Sequence, residues 1–275
     1  MVHLTRSQLI RRAWWTGIGL AAGVAVAACS APESSTEAPS NSASSSAPIT
    51  VAIDPTFPPL QSTSENGDIE GFEIDLINAI AEAAGLDLEM MPLPFREIIP
   101  ALEAGTVDAS ISAMTITPER ERQVSFSRPY LQAGLAIVVP SLDESITDFD
   151  DLNGKRIGIQ PGTTGAAEAA EANAGELVAY DNSILALQGL ANGEVDAVIN
   201  DIPVNKFVIR SGQIQGIRNL DEPLTVELYG IATQQNSPTL QQLNQGLTTI
   251  LEDGTYDEIY RTWFDSDPPE LPSEG

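Results

Sequence analysis

Gly105-Thr106-Val107-Asp108-Ala109 returns later in the chain as Gly193-Glu194-Val195-Asp196-Ala197. In each copy a glycine ends a helical stretch, a turn follows, and a β-prone run leads straight into a polar segment. A five-residue echo can arise by coincidence, so the elements around each copy decide the matter. Before the first copy, Ile49 to Ile53 is β-prone and stops at Asp54-Pro55. Phe72, Leu76, Ile77, Ile80, Ala81 and Ala84 then share one helical face, with Gly85 as the stop. The sequence next predicts a strand over Leu86–Met91, a helix over Glu97–Ala104 and a strand over Val107–Ser112. Around the second copy it predicts a strand over Arg156–Ile159, an alanine-rich helix over about 165–173, a helix over Leu185–Ala191 and a strand over Val195–Ile199. The second series repeats the plan of the first, without a strand read between its two helices. This predicts an α/β protein of two similar lobes, each a mostly parallel sheet flanked by helices.

In open parallel sheets, ligands bind beyond the carboxyl ends of the strands. The segments in that position are Asp54–Phe57, Ala113–Arg120, Gln160–Gly165 and Asn200–Pro203. Two facing lobes would bring all four to one cleft. Thr117 is suited to cap a helix whose first residue is Pro118. Arg120 then lies in the first turn, where the helix dipole disfavours a cation and an anion must compensate. A ligand carboxylate can be that anion; a surface partner such as Glu119 is the plainer reading. Gly162-Thr163-Thr164-Gly165 is a second anion-friendly turn, or simply a capped helix start, and it lacks the ending of a phosphate loop. Asp201 is a helix cap or the counter-ion of a ligand ammonium. Asp54 is a turn residue or a cleft carboxylate. Phe57 and Phe95 are cleft walls or ordinary core.

Arg6, Arg11 and Arg12 precede an uncharged, mostly apolar run from Ala13 to Ala28, and the only cysteine follows in Ala27-Ala28-Cys29-Ser30. Residues 1–28 thus read as a signal peptide, too short for a spanning helix. Cys29 reads as the lipidated first residue of an exported, membrane-anchored chain, against the alternative of an ordinary free cysteine. The Arg11-Arg12 pair admits twin-arginine export as well as a plain basic start. Residues 29–48 form a flexible Ser/Ala/Pro tether. A loose polar tail is expected over 267–275.

Removal of residues 1–28 leaves 10 basic against 39 acidic residues and no histidine. Such a surface repels nucleic-acid phosphates. The missing histidine excludes Ser-His and Cys-His catalysis and histidine-based zinc sites. No motif calls for a cofactor.

The chain resembles the bacterial extracellular solute-binding proteins of family 3, the polar-amino-acid receptors of ABC transporters. The resemblance rests on Ala52-Ile53-Asp54-Pro55-Thr56-Phe57-Pro58-Pro59, Gly71-Phe72-Glu73-Ile74-Asp75-Leu76, Phe95 with Ile98-Ile99-Pro100-Ala101-Leu102, and Met114 to Arg120. Phe126-Ser127-Arg128-Pro129-Tyr130, Gly154-Lys155-Arg156-Ile157-Gly158, Gly254 to Tyr260 and Trp263-Phe264 continue it. It implies the two-lobed periplasmic-binding-protein fold, with hinge strands near Tyr130–Gly134 and Thr225–Tyr229, lobe 1 over 49–130 plus 230–266, and hinges and lobe 2 over 131–229. It implies that Arg120, with backbone groups at Thr115 and Thr164, pairs with a ligand α-carboxylate. Asp201, Thr115 and the carbonyl of Ala113 would take the α-ammonium. Asp54, Phe57, Phe95 and the neutral Gln160 would surround the side chain. One carboxylate and two aromatic faces suit arginine, lysine or ornithine, with glutamine also open. The implied partners are the permease subunits of an importer, with the protein acting as a monomer. Cyclohexadienyl or arogenate dehydratases resemble the same fold, so an enzyme is the alternative.

Overall fold

The structure, a computed structural model, describes residues 47–272. The signal segment, Cys29, nearly all of the tether and the last three residues of the tail lie outside the described residues. Among the described residues no helix is long and apolar enough to cross a membrane.

The chain begins with β1 (Ile49–Ile53) and a small meander of β2 (Thr56–Phe57), β3 (Gln61–Thr63) and β4 (Ile69–Glu70). Helix α1 (Phe72–Ala84) buries Phe72, Leu76, Ile77 and Ile80 and ends at Gly85. Then come β5 (Leu88–Pro92), α2 (Phe95–Glu103), β6 (Ala109–Ser110), the short α3 (Pro118–Glu121) and β7 (Val124–Phe126). After β8 (Leu131–Ala133), the second stretch runs β9 (Leu135–Pro140), β10 (Arg156–Ile159), α4 (Thr164–Glu171), β11 (Glu176–Ala179), α5 (Ser183–Ala191), β12 (Ala197–Asp201), α6 (Ile202–Arg210) and β13 (Ile217–Asn219). The chain returns through β14 (Glu227–Tyr229) to β15 (Ala232–Gln234), α7 (Pro238–Glu252) and α8 (Thr255–Phe264).

Two five-stranded sheets result, ordered β5-β1-β6-β15-β7 and β11-β10-β12-β9-β13. Each holds a parallel trio, and each contains one strand, β15 or β9, that runs against its neighbours. That reversed strand is in both cases the one that follows a crossing between the sheets. Both faces of each sheet are covered, and alternation along the strands feeds both. Val51 and Ile53 pack under α1 and α7, whereas Ala52 joins Ile98 and Leu102 of α2. In the second sheet Ile157 and Ile199 meet Ala169 of α4, whereas Val198 meets Leu187 of α5 and Val204 of α6.

The sequence echo has a structural cause. Gly105 and Gly193 hold φ of +67° and +77°, a left-handed backbone that favours glycine. Val107 and Val195 are buried. Asp108 gives its N–H to the carbonyl of Thr50 and accepts the Thr50 N–H on its carboxylate, both at 2.9 Å. Asp196 does the same to Arg156, at 2.8 and 2.9 Å. Each copy therefore clasps the first strand of its sheet. This also shortens the predicted strands: Val107-Asp108 and Val195-Asp196 serve the turn and clasp, and the strands begin at Ala109 and Ala197. The first strand after α1 starts at Leu88 rather than Leu86, because the Leu86 N–H turns back to the carbonyl of Ala81. The alanine-rich helix starts at Thr164 and stops at Glu171, two residues before Asn173 enters the left-handed region.

Between the sheets, β8 and β14 pair antiparallel, with Leu131 opposite Tyr229 and Ala133 opposite Glu227. Both lie in the segments expected to act as hinges. Gly134 follows immediately, and a Cβ there would sit 2.1 Å from the carbonyl oxygen of Thr225.

Candidate ligand-binding site

The loops beyond the parallel strands of the two sheets meet around a small cavity. Asp54, Phe57, Phe95, Ala113, Thr115, Arg120, Gln160, Thr164 and Asp201 all border it, joined by Gln61, Ser112 and Thr163. Asp54 ends β1, Arg120 lies on α3, Thr164 opens α4 and Asp201 closes β12.

Arg120 is buried and held from both lobes. Thr117 caps α3 by accepting the Arg120 N–H at 3.2 Å, which fixes the backbone. The guanidinium donates to the Thr115 carbonyl at 2.9 Å and to the Gly162 carbonyl at 3.0 Å. It also lies over the Phe95 ring, 5.4 Å from the centroid. Among the described residues it forms no salt bridge, so the plain pairing with Glu119 is not made. Burial lowers its pKa, and the charges of Glu227 and Asp201 oppose that pull. A cation spanning two carbonyls, with its acids at a distance, has capacity left for an anion.

Asp201 occupies the capping position of α6, but its side chain makes no cap bond. Its carboxylate accepts the hydroxyl of Tyr229 on β14 instead. Burial raises its pKa to about 7, helped by the charge of Glu227 and opposed by Tyr229 and Arg120. A buried carboxylate with this weak counter-charge favours an incoming cation.

Asp54 is more engaged than its sequence position implies. Its carboxylate accepts Thr56 Oγ1 at 2.7 Å, the Phe95 N–H at 3.1 Å and Gln160 Nε2 at 3.4 Å. Burial nevertheless raises its pKa. Gln160 is thus a partner of Asp54 from the opposite lobe and not a bystander, and one face of Phe95 is already taken by Arg120. Ser112 Oγ accepts both the Asp54 N–H and Gln61 Nε2, at 3.0 and 3.3 Å. The Gln61 Oε1 is buried and has no partner among the described residues.

At the second lobe's rim, Thr163 caps α4 by accepting the Ala166 N–H at 3.1 Å. The N–H groups of Thr164 and Gly165 have no intrahelical acceptor. Thr163 and Thr164 border the same cavity as Arg120, which reaches the Gly162 carbonyl just before them.

Ala113 holds φ of +49°, a conformation rare for residues with a Cβ. Its N–H donates to both oxygens of Glu73 on α1, at 2.9 and 3.2 Å, and Tyr130 donates to Glu73 at 2.5 Å. Glu73 is fully buried, and burial raises its pKa to about 7. Reading by residue type passed over Glu73 as a site residue. The signal was present: a carboxylate three, four and seven residues before Leu76, Ile77 and Ile80 sits on their apolar stripe. Glu227 and Tyr229 were missed too, and only the strand alternation of Glu227, Leu228 and Tyr229 hinted that both face inward. Among the described residues no cluster of His, Cys, Asp and Glu is placed to hold a metal ion.

The cavity thus brings together a guanidinium, the start of α4, the carboxylates of Asp54 and Asp201, and the amides of Gln61 and Gln160. The family model for bacterial extracellular solute-binding proteins, family 3, matches residues 49–266. The arginine-binding periplasmic protein of Mannheimia haemolytica is 35% identical over 224 residues, spanning 78% of this chain and 90% of that one. A solved ancestral arginine-binding protein bound to arginine is 41% identical, covers 78% of this chain and 97% of its own, and superposes with a TM-score of 0.74. An ancestral arginine-binding protein bound to glutamine is also 41% identical, with 79% and 98% covered and a TM-score of 0.75. The chain belongs to the bacterial extracellular solute-binding proteins of family 3.

Proposed function

We propose that this protein is the substrate-binding component of an ABC importer and that it captures a free polar amino acid in the cavity between its lobes. The observation that carries this reading is the placement of Arg120 and Asp201 on one cavity, from opposite lobes. Arg120 and the first N–H groups of α4 take the α-carboxylate. Asp201, Thr115 and the Ala113 carbonyl take the α-ammonium. The side chain then reaches Asp54, Gln61, Gln160 and Phe57. Asp54 and the unpartnered Gln61 oxygen are acceptors, which favours a donor-rich side chain: arginine first, lysine and ornithine next, and glutamine through the Gln160 amide. The relatives bound to arginine and to glutamine support the same short series. The protein acts as a monomer, performs no chemistry on its ligand, and is tethered to the membrane by a lipid on Cys29.

Thermal-shift screening of residues 47–272 against the twenty amino acids, ornithine and citrulline tests this reading. A ligand at about 100 times its Kd adds about 2.7 kcal/mol of apparent stability. Arginine or glutamine is expected to give the largest shift, and Arg120→Ala to abolish it for every amino acid. A protein that no amino acid stabilises, or that converts prephenate or arogenate, overturns the proposal. Metabolic labelling with palmitate, lost in Cys29→Ala, tests the anchor.

A further inference from the structure

Glu227 is a buried acid on β14 that borders the open groove outside the cleft and does not border the ligand cavity. Between it and the cavity stand Thr115 and Thr164, which line both. Thr115 Oγ1 donates to Glu227 Oε2 at 2.6 Å, and Thr164 Oγ1 donates to the same oxygen at 3.1 Å. A hydroxyl carries one proton and two lone pairs. Each threonine therefore spends its only proton on Glu227, on the side away from the cavity. What is left for the cavity is lone pairs.

We propose that Glu227 is a positioning residue for specificity: by taking both threonine protons, it turns the two hydroxyls into acceptors and makes the amino end of the cavity select an ammonium over any group that only accepts. This rests on the amino-acid reading above and deepens it. The amino end then holds the Ala113 carbonyl, the Asp201 carboxylate and the Thr115 hydroxyl, and the Thr164 hydroxyl at the start of α4 likewise turns its proton to Glu227. A 2-oxo acid keeps the α-carboxylate and side chain of its amino acid but replaces three N–H donors with one acceptor. It would meet acceptors only, and unpaired buried acceptors are costly. Glu227 is suited to this task because it lies on the strand between the lobes. It reaches Thr115 of the first lobe and Thr164 of the second at once, so both hydroxyls are oriented only when the lobes are together.

The experiment compares binding of L-arginine and L-glutamine with binding of their 2-oxo acids, by calorimetry on the described chain. The wild type is expected to bind an amino acid and reject its 2-oxo acid. Glu227→Gln retains a carbonyl oxygen for the two hydroxyls and is expected to keep the ratio. Glu227→Leu frees both protons to turn toward the cavity, and the ratio is expected to fall by about tenfold or more, through tighter 2-oxo acid binding as well as weaker amino acid binding. Thr115→Val reports on the same point without touching Glu227. It removes an acceptor, so amino acid affinity drops while 2-oxo acid affinity holds or rises. An unchanged ratio in Glu227→Leu, or a Thr115→Val variant that weakens the 2-oxo acid more than the amino acid, overturns the proposal and leaves the amino-acid reading intact. Should Glu227→Leu fail to fold, the Thr115→Val result alone decides. A wild type that binds neither amino acid overturns the underlying reading, and with it this one.

Discussion

At the scale of single residues, the site is built from acids removed from water. Glu73 and Asp201 both have pKa values raised to about 7, chiefly by burial. The folded state thus binds protons that the unfolded chain, with ordinary carboxylates, has lost. Their contribution to stability is complete below about pH 4 and is lost as pH rises toward 7. The melting temperature of the ligand-free protein is expected to fall over that window, and Glu73→Gln to flatten the slope. A slope that is the same in both proteins counts against the protonated Glu73. Binding an ammonium beside Asp201 lowers its pKa again, so calorimetry near pH 7 is expected to show proton release that depends on the buffer's ionisation heat. Ala113→Gly relieves a positive φ that costs an alanine about 1 kcal/mol, and a modest gain in chemical-denaturation stability is expected. These residues mark the limit of sequence reading. Asp54, Arg120 and Asp201 were legible because strand ends and a Pro-started helix announce them. Glu73 was hidden because its stripe reads as core, and Glu227 because an acid next to Val226 and Leu228 reads as the exposed member of the trio. In fact Val226 is the exposed one, at 73%.

At the scale of elements, the helix faces and strand order were legible, whereas the ends were not. Several shifted ends have a local hydrogen bond as their cause: the return of Leu86 to Ala81, the clasps of Asp108 and Asp196, and the caps of Thr163 and Asn182. Periodicity reports which side of an element is buried and carries no signal for these bonds. The two clasps are also equivalent in kind, so their removal should cost similar amounts. Asp108→Ala and Asp196→Ala are each expected to lose about 1–2 kcal/mol by denaturant titration. Asp196→Ala is expected to lose somewhat more, because it also pairs with the Arg156 guanidinium at 2.7 Å. In the hinge, Gly134→Ala forces a methyl against the Thr225 carbonyl, and a loss of about 3 kcal/mol or a displaced β8–β14 pair is expected.

At the scale of the whole molecule, the residues that line the cavity divide between two sheets joined by two strands. Arg120 to Gly162 and Gln160 to Asp54 both cross that division. A ligand that adds Arg120 and Asp201 to these ties favours the closed arrangement, which a permease can select. Small-angle scattering is expected to show a smaller radius of gyration with the bound amino acid than without it, and no change in Arg120→Ala. The two-lobed plan was legible in the repeat. The family resemblance assigns 230–266 to the first lobe; the insertion of Ala232–Gln234 between β6 and β7 was not legible, because nothing in those three residues names its neighbours.

That distant strand sets an order of assembly. β15 lies between β6 and β7 and, among the described residues, is the only strand that joins β7 to the first sheet. The second sheet draws all its strands from one unbroken stretch, β9 to β13. A chain emerging N-terminus first can therefore finish its second lobe while the first still waits for residues 232–234. The part of the protein that begins last is the part that can be complete first, and the binding site is the last thing to exist.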